Sequence, residues 1–211
     1  MNAPSKSKPS VRAKADSIRD FRCKNLVVVL ENPEDVRNIG TVIRNVNALG
    51  AEKVYVVDER GALPEDWHEM RDNPKLTRTS ASAVKWSFVK RFNSTDACLK
   101  HLQKNGFASF VTSPHTKGRR NVSLEAGNYT KHTKLAVWFG NETHGVSELA
   151  IQNSDLCINI PMFGLIESLN LATSSGIVLY EVTKQRRAFQ VRLKAKLEAK
   201  ARAQVAAQFE R

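Results

Sequence analysis

The sequence contains no run of about 18 apolar residues, so nothing in it is built to cross a membrane as a helix. Its first 24 residues are basic and lack the apolar stretch of a secretory signal. Only three cysteines occur in 211 residues, Cys23, Cys98 and Cys157, widely spaced and without a Cys-x-x-Cys pair. An odd, scattered set argues against a disulfide framework or zinc site and suits a reducing cytoplasm, where triplets such as Asn121-Val122-Ser123 carry no glycosylation meaning. The five histidines (His68, His101, His115, His132, His144) form no ligand-spaced cluster with the cysteines, so no metal is expected. No internal repeat is present, and the length suits one compact domain.

What the chain has in excess is positive charge, formally +12. Residues 1–24 hold seven of the 33 Lys and Arg against two Asp, and residues 184–211 hold nine against two Glu, which leaves 17 of each sign in residues 25–183. A neutral middle between a basic N-terminal extension and a basic C-terminal helix fits a nucleic acid gripped by the ends around a central site. Tails that only aid solubility would give the same composition.

The middle reads as an α/β domain. Leu26-Val27-Val28-Val29-Leu30 is the continuous apolar run of a strand covered on both faces, and Asn32-Pro33-Glu34-Asp35 breaks it. Val36, Ile39, Ile43, Val46 and Leu49 then mark one side of a helix that Gly50 ends, and Val54-Tyr55-Val56-Val57 is the next strand. This βαβ unit implies a mostly parallel sheet flanked by helices. Further strands are expected at Phe88-Val89, residues 107–111, residues 135–139 and residues 156–160. Helices are expected over residues 11–21, near residues 75–84, from Asn93 or Ser94 to about residue 105, and after Ser147. Residues 112–133 read as a long polar surface connection. From Ser168 the pattern is helical to residue 187, and no Gly or Pro interrupts residues 177–211. Phe189, Leu193 and Leu197 recur beside Arg192, Lys196 and Lys200, a basic amphipathic helix that an apolar stripe docked on the body explains equally well.

Three glycine-punctuated segments sit where open α/β sheets place their ligands. The first runs from Asn38-Ile39-Gly40 through Arg44 to Gly50, the second is Phe139-Gly140-Asn141-Glu142-Thr143-His144-Gly145, and the third is Ile160-Pro161-Met162-Phe163-Gly164 followed by Glu167-Ser168-Leu169-Asn170. Arg44 stands in an otherwise apolar helix, where an unpaired guanidinium is costly. It therefore needs a carboxylate, a phosphate or a partner subunit, a buried structural salt bridge being the plain alternative. Gly140 and Gly145 bracket a loop able to turn sharply and approach a ligand, or merely a strand-to-helix turn. The third segment offers main-chain amides for an adenine edge, with Ser168 and Asn170 at a helix start that Ser168 could simply cap.

Together and in this order, the three segments closely resemble the motifs of the SpoU/TrmH family of SPOUT-class RNA 2′-O-ribose methyltransferases, over residues 25–187. The resemblance implies a C-terminal deep trefoil knot, which periodicity cannot show, and an obligate homodimer with active sites at the subunit interface. It implies S-adenosyl-L-methionine (SAM) as cofactor, held by Gly140, Asn141, Ile160, Met162, Gly164 and Leu169. It assigns Arg44 as the catalytic arginine reaching the partner's SAM, with Asn38, Glu142, Ser168 and Asn170 as the other polar site positions. One departure stands out: the family's usual Val-Ser-Val-Ala after Ser-Leu-Asn is here Leu171-Ala172-Thr173-Ser174, without a hydroxyl at 172.

The resemblance implies attack of a ribose 2′-OH on the methyl carbon of SAM. Arginine stays protonated and is a poor base, so Arg44 is read as a phosphate ligand that makes the hydroxyl more acidic. Basic ends without a separate N-terminal domain favour tRNA, a guanosine above all, with rRNA as runner-up and DNA not expected. A non-catalytic RNA-binding scaffold and a small-molecule methyltransferase are the competing readings.

Overall fold

The computed structural model describes residues 10–61, 63–118 and 120–209. Lys6, Lys8 and Pro9 of the basic N-terminal extension, Arg119 of the polar connection, and Glu210 and Arg211 of the C-terminal helix lie outside the described residues.

Helix α1 (Val11–Ile18) starts at Ser10, whose hydroxyl accepts from the Ala13 amide. Strand β1 (Cys23–Glu31) follows, wholly buried from Leu26 to Glu31. Helix α2 (Val36–Leu49) is capped by Asp35 and ends on Gly50 at φ 78°. After β2 (Ala51–Val57) come two short helices, α3 (Trp67–Asp72) and α4 (Pro74–Thr79), in place of the single helix the sequence suggests near residues 75–84. Asn73 closes α3, and its side-chain oxygen caps α4 by accepting from the Lys75 and Leu76 amides; α4 stops at Thr79, short of residue 84, because Ala81 and Ser82 turn to the left-handed region at φ 50° and 65°. The chain continues through β3 (Phe88–Phe92), α5 (Thr95–Lys104) capped by Ser94, β4 (Ala108–Thr112), β5 (Asn121–Ser123), β6 (Leu135–Phe139), α6 (Glu148–Gln152) capped by Ser147, and β7 (Leu156–Asn159). Helix α7 (Leu171–Phe209) is one uninterrupted helix of 39 residues.

The seven strands of the described residues pair in parallel, in the order β3-β2-β1-β6-β4-β7-β5. One core lies between the sheet and α2 and α7, with Ile43, Val46, Val178, Leu179 and Val182 packed on Val28 and Val137. The other lies under α5 and α6, with Leu102 and Ile151 packed on Val27, Val29 and Trp138. A nearly continuous apolar run in β1 and β6 is the consequence of being central and covered on both faces.

The structure differs from the sequence pattern at two places. The polar connection contains β5, which forms the sheet edge against β7, and Tyr129, which is 1% exposed and donates its hydroxyl to the Leu124 carbonyl. The last helix begins at Leu171 and not at Ser168, because Asn170 is its cap: its Oδ1 accepts from the Ala172 and Thr173 amides.

Candidate active site

The carboxyl ends of β6, β4 and β7 open into a cleft of about 330 Å³, within the usual range for small-molecule sites. Its walls are the loop after β6, from Gly140 to Gly145, the segment after β7 with Ile160, Met162, Ser168 and Leu169, and the loop after β4, from Ser113 to Lys117. Ile158, Leu171 and Val178 give it an apolar floor.

The loop after β6 is a closed hairpin. Asn141 and Gly145 exchange both backbone hydrogen bonds, at 3.0 and 2.9 Å. Asn141 then donates its side-chain amide to the Asn32 carbonyl at 2.7 Å and to Glu34 at 3.2 Å, and the Thr143 hydroxyl donates to the other Glu34 oxygen. These two hydrogen bonds hold the Glu34 carboxyl below its ordinary pKa. At the end of β1, Glu31 is 2% exposed and accepts from the Ser147 amide and hydroxyl and from the Thr95 hydroxyl, so the far end of the loop is also fixed.

One hydrogen-bonded chain joins the three motif segments. Asn170 donates to Asn38 Oδ1 at 3.1 Å, Asn38 donates to Glu142 Oε1 at 2.6 Å, and the Glu34 amide donates to Glu142 Oε2 at 2.9 Å. Asn170 can serve both this chain and the α7 cap because its amide has separate donor and acceptor ends. A Glu142→Gln change would turn an amide nitrogen toward one of two donors. It is expected to leave melting unchanged within about 2 °C, since the pair is exposed, while turnover in the cleft falls roughly tenfold.

Of the residues the sequence singles out, Gly140, Asn141, Glu142, Ile160, Met162, Ser168 and Leu169 line the cleft, and Asn38 and Asn170 are tied to Glu142 at its edge. Gly164 is not among the lining residues; it lies between Phe163 and Leu165, which are fully solvent-exposed. Arg44 is exposed on α2 and makes no hydrogen bond or ion pair among the described residues, so the buried structural salt bridge is not what this helix contains. The next residue does the anchoring: Asn45 donates to the Ala172 carbonyl at 2.9 Å and to Ser175 at 3.0 Å, locking α2 to α7. Ala172 is itself buried at that junction, so the position lacking the family's usual hydroxyl faces packing rather than the cleft.

Sequence reasoning missed the loop after β4, with Thr112, Ser113, His115 and Lys117 in the cleft. The strand was legible, but its place between β6 and β7 was not. It also missed Glu31 and Glu34, which stand just before and inside the break after the first strand, where a carboxylate so close to a motif was the available signal.

The sequence profile of the SpoU rRNA Methylase family matches residues 25–180. The chain belongs to that family. Among curated SpoU relatives it is 29% identical over 175 residues to the tRNA (guanosine(18)-2′-O)-methyltransferase of Thermus thermophilus, covering 83% of this chain and 82% of the relative. It is 30% identical over 169 residues to the enzyme of the same name from Aquifex aeolicus, covering 80% and 74%. Among solved structures, the A. aeolicus TrmH/SpoU tRNA modifying enzyme superposes with a TM-score of 0.68 at 26% identity over 84% of each chain. The SpoU methyltransferase AviRb of Streptomyces viridochromogenes, solved with AdoMet, gives 0.64 at 26% identity over 77% of this chain and 58% of that one. Among the described residues no helix is long and apolar enough to cross a membrane.

Proposed function

We propose that this SpoU-family chain is a SAM-dependent RNA methyltransferase acting on a ribose 2′-OH, that of a guanosine in tRNA, as a cytoplasmic homodimer. The observation that carries the reading is the chain Asn170–Asn38–Glu142, which draws three segments distant in sequence to the edge of one cleft. The cleft fits SAM: it has ligand volume, an apolar floor for an adenine, and main-chain groups at Gly140, Ile160 and Leu169 beside the polar Glu142 and Ser168. Bound there, SAM would supply a methyl group made electrophilic by its sulfonium. Gly140, Asn141, Ile160, Met162 and Leu169 would hold the cofactor, with Gly164 on the exposed loop between Met162 and Leu169. Asn38, Glu142, Ser168 and Asn170 orient the ribose, and Arg44 binds the adjacent phosphate and makes the hydroxyl more acidic, its proton passing to water or phosphate.

A homodimer is supported by the apolar loop residues Phe163, Leu165 and Ile166, 70–101% exposed, and by Ile177 and Tyr180 on α7. An exposed Arg44 without a partner among the described residues suits a residue that serves the partner's cleft. The trefoil knot belongs to the same reading, supported by the family and by the placement of β7 between β4 and β5. So does the division into a basic extension (1–24), a methyltransferase domain (25–183) and a basic C-terminal helix (184–211). The tRNA assignment rests on the relatives' names and on the basic ends. rRNA, the substrate in the family's description, is the second reading.

The test is methyl transfer from tritiated SAM to unmodified tRNA and rRNA transcripts. Alkali-resistant label at one tRNA guanosine is the expected result. Label on rRNA alone overturns the substrate. No SAM binding overturns the enzyme and leaves a non-catalytic scaffold.

A further inference from the structure

At the opposite end of the strands from the cleft, lysines and phenylalanines recur along one rim of the sheet, and on β3 they continue up the strand to Phe92, its last residue. Phe88, Lys90 and Phe92 share the face of β3 that Phe92 buries under α5. Lys53 of β2 pairs in register with Phe88 and places its ammonium 5.9 Å from that ring, and Lys90 lies 4.7 Å from the Phe92 ring. Phe107 and Lys134 immediately precede Ala108 and Leu135, which pair across β4 and β6, and Lys134 lies 5.7 Å from the Phe107 ring. Lys-over-Phe contacts therefore recur from β3 to β4, four strand spacings or roughly 19 Å.

Helix α5 closes the face, with His101 and Lys104 in its last turn. The His101 ring is 5.2 Å from Phe92 and its Nε2 is 3.3 Å from the Tyr55 hydroxyl. Burial, then Lys90, Lys53 and Lys104, hold its pKa below the ordinary value, which places three ammonium groups around one imidazole. A cation in the last turn of a helix is favoured by the helix dipole. That accounts for Lys104, and Lys134 Nζ donates to the Asn105 carbonyl at 2.8 Å, while Lys53 and Lys90 come to the same face from two neighbouring strands. Phe88 is 49% exposed, a large π-face beside this charge.

We propose that this rim is a second RNA-contact surface that takes unpaired nucleotides, with a base stacking on Phe88 and phosphates paired with Lys53, Lys90, Lys104 and Lys134. The proposal rests on the reading of the chain as one that acts on RNA. Acidic protein would match the charge of the lysines and make no use of the exposed Phe88 ring. Stacking on aromatics beside a cationic track is the chemistry of single-strand binding. Residues 25–183 are neutral in sum, so the folding of that segment, and not its composition, gathers the charge.

The experiment uses the full-length protein, a fluorescent unstructured 12-nucleotide RNA and a 12-base-pair RNA duplex, at several salt concentrations, with labelled SAM binding measured in parallel. Combining Lys53→Gln, Lys90→Gln and Lys104→Gln is expected to weaken single-strand binding about tenfold and to reduce the slope of log affinity on log salt by about 2. Phe88→Leu is expected to weaken it about fivefold with the slope unchanged, and SAM binding should persist in both variants. Unchanged affinity and slope in both variants, or no binding of the 12-mer by the parent, overturns the proposal. Equal losses for 12-mer and duplex, with Phe88→Leu silent, overturn it also by reducing the rim to bare charge. A parent that binds no SAM sinks the methyltransferase reading and leaves the RNA arms to decide this one.

Discussion

A Gly140→Ala chain will lose cofactor binding and melt well below the parent. A Cβ at Gly140 would lie 2.0 Å from the Gly145 carbonyl carbon and 2.1 Å from the Val146 nitrogen. Both are backbone atoms, so no side chain can turn away, and relief requires opening the hairpin closed by the Asn141 and Gly145 hydrogen bonds. Opening it withdraws Asn141 from the Asn32 carbonyl and Glu142 from Asn38 and the Glu34 amide. A backbone clash of this kind exceeds ordinary overpacking, so the loss is about 3 kcal/mol or more. For a chain of this length that is roughly 6–12 °C in Tm, with SAM affinity down at least tenfold. Gly164→Ala is the control from the third motif: nothing lies within 4 Å of its Cβ, and its Tm should stay within about 1 °C of the parent. If calorimetry found the two variants equally stable, the tight hairpin would not be what Gly140 serves.

The contrast between these glycines shows what was legible in the sequence. Motif spacing identified both, yet only the fold reveals that one is wedged against backbone and the other stands in open space. The β1–α2–β2 unit could be read directly, because the apolar run, the capping Asp35 and Gly50 are local signals. The order β6-β4-β7-β5 could not, since parallel pairing joins strands far apart in the chain and leaves no local mark. Strand β5 is three residues, Asn121-Val122-Ser123, too short and polar to show alternation, and it is a strand only because β7 offers it an edge. The same non-locality hid the loop after β4, and with it one wall of the cleft. Asn38, Glu142 and Asn170 were each marked as polar positions, whereas their mutual hydrogen bonds required β1, β6 and β7 to end together. Arg44 was noticed as costly if buried. The structure resolves that tension by exposing it.

Arg44→Ala is expected to leave SAM binding and Tm unchanged and to lower methyl transfer by about 10²–10³, the usual loss when one preorganised charge-stabilising donor is removed. The stability half follows from exposure and from the lack of any described partner whose group would be orphaned. The activity half follows from position: Arg44 is six residues, roughly 9 Å along the helix, beyond Asn38 at the cleft edge. The hydrogen bonds of Asn45 to α7 hold that helix rigidly enough for the placement to matter. Arg44→Lys keeps the charge and loses the planar fork, so near-full turnover in that variant would rule out bidentate phosphate recognition. Mixing decides which cleft the arginine serves. Subunits carrying Arg44→Ala keep a sound cleft, and subunits carrying Gly140→Ala keep a sound arginine. If the arginine acts across the interface, random mixed dimers assembled below the lower Tm regain about a quarter of the parent activity, one composite site in half of the dimers. If it acts within its own subunit, neither partner supplies a complete site and mixing restores nothing.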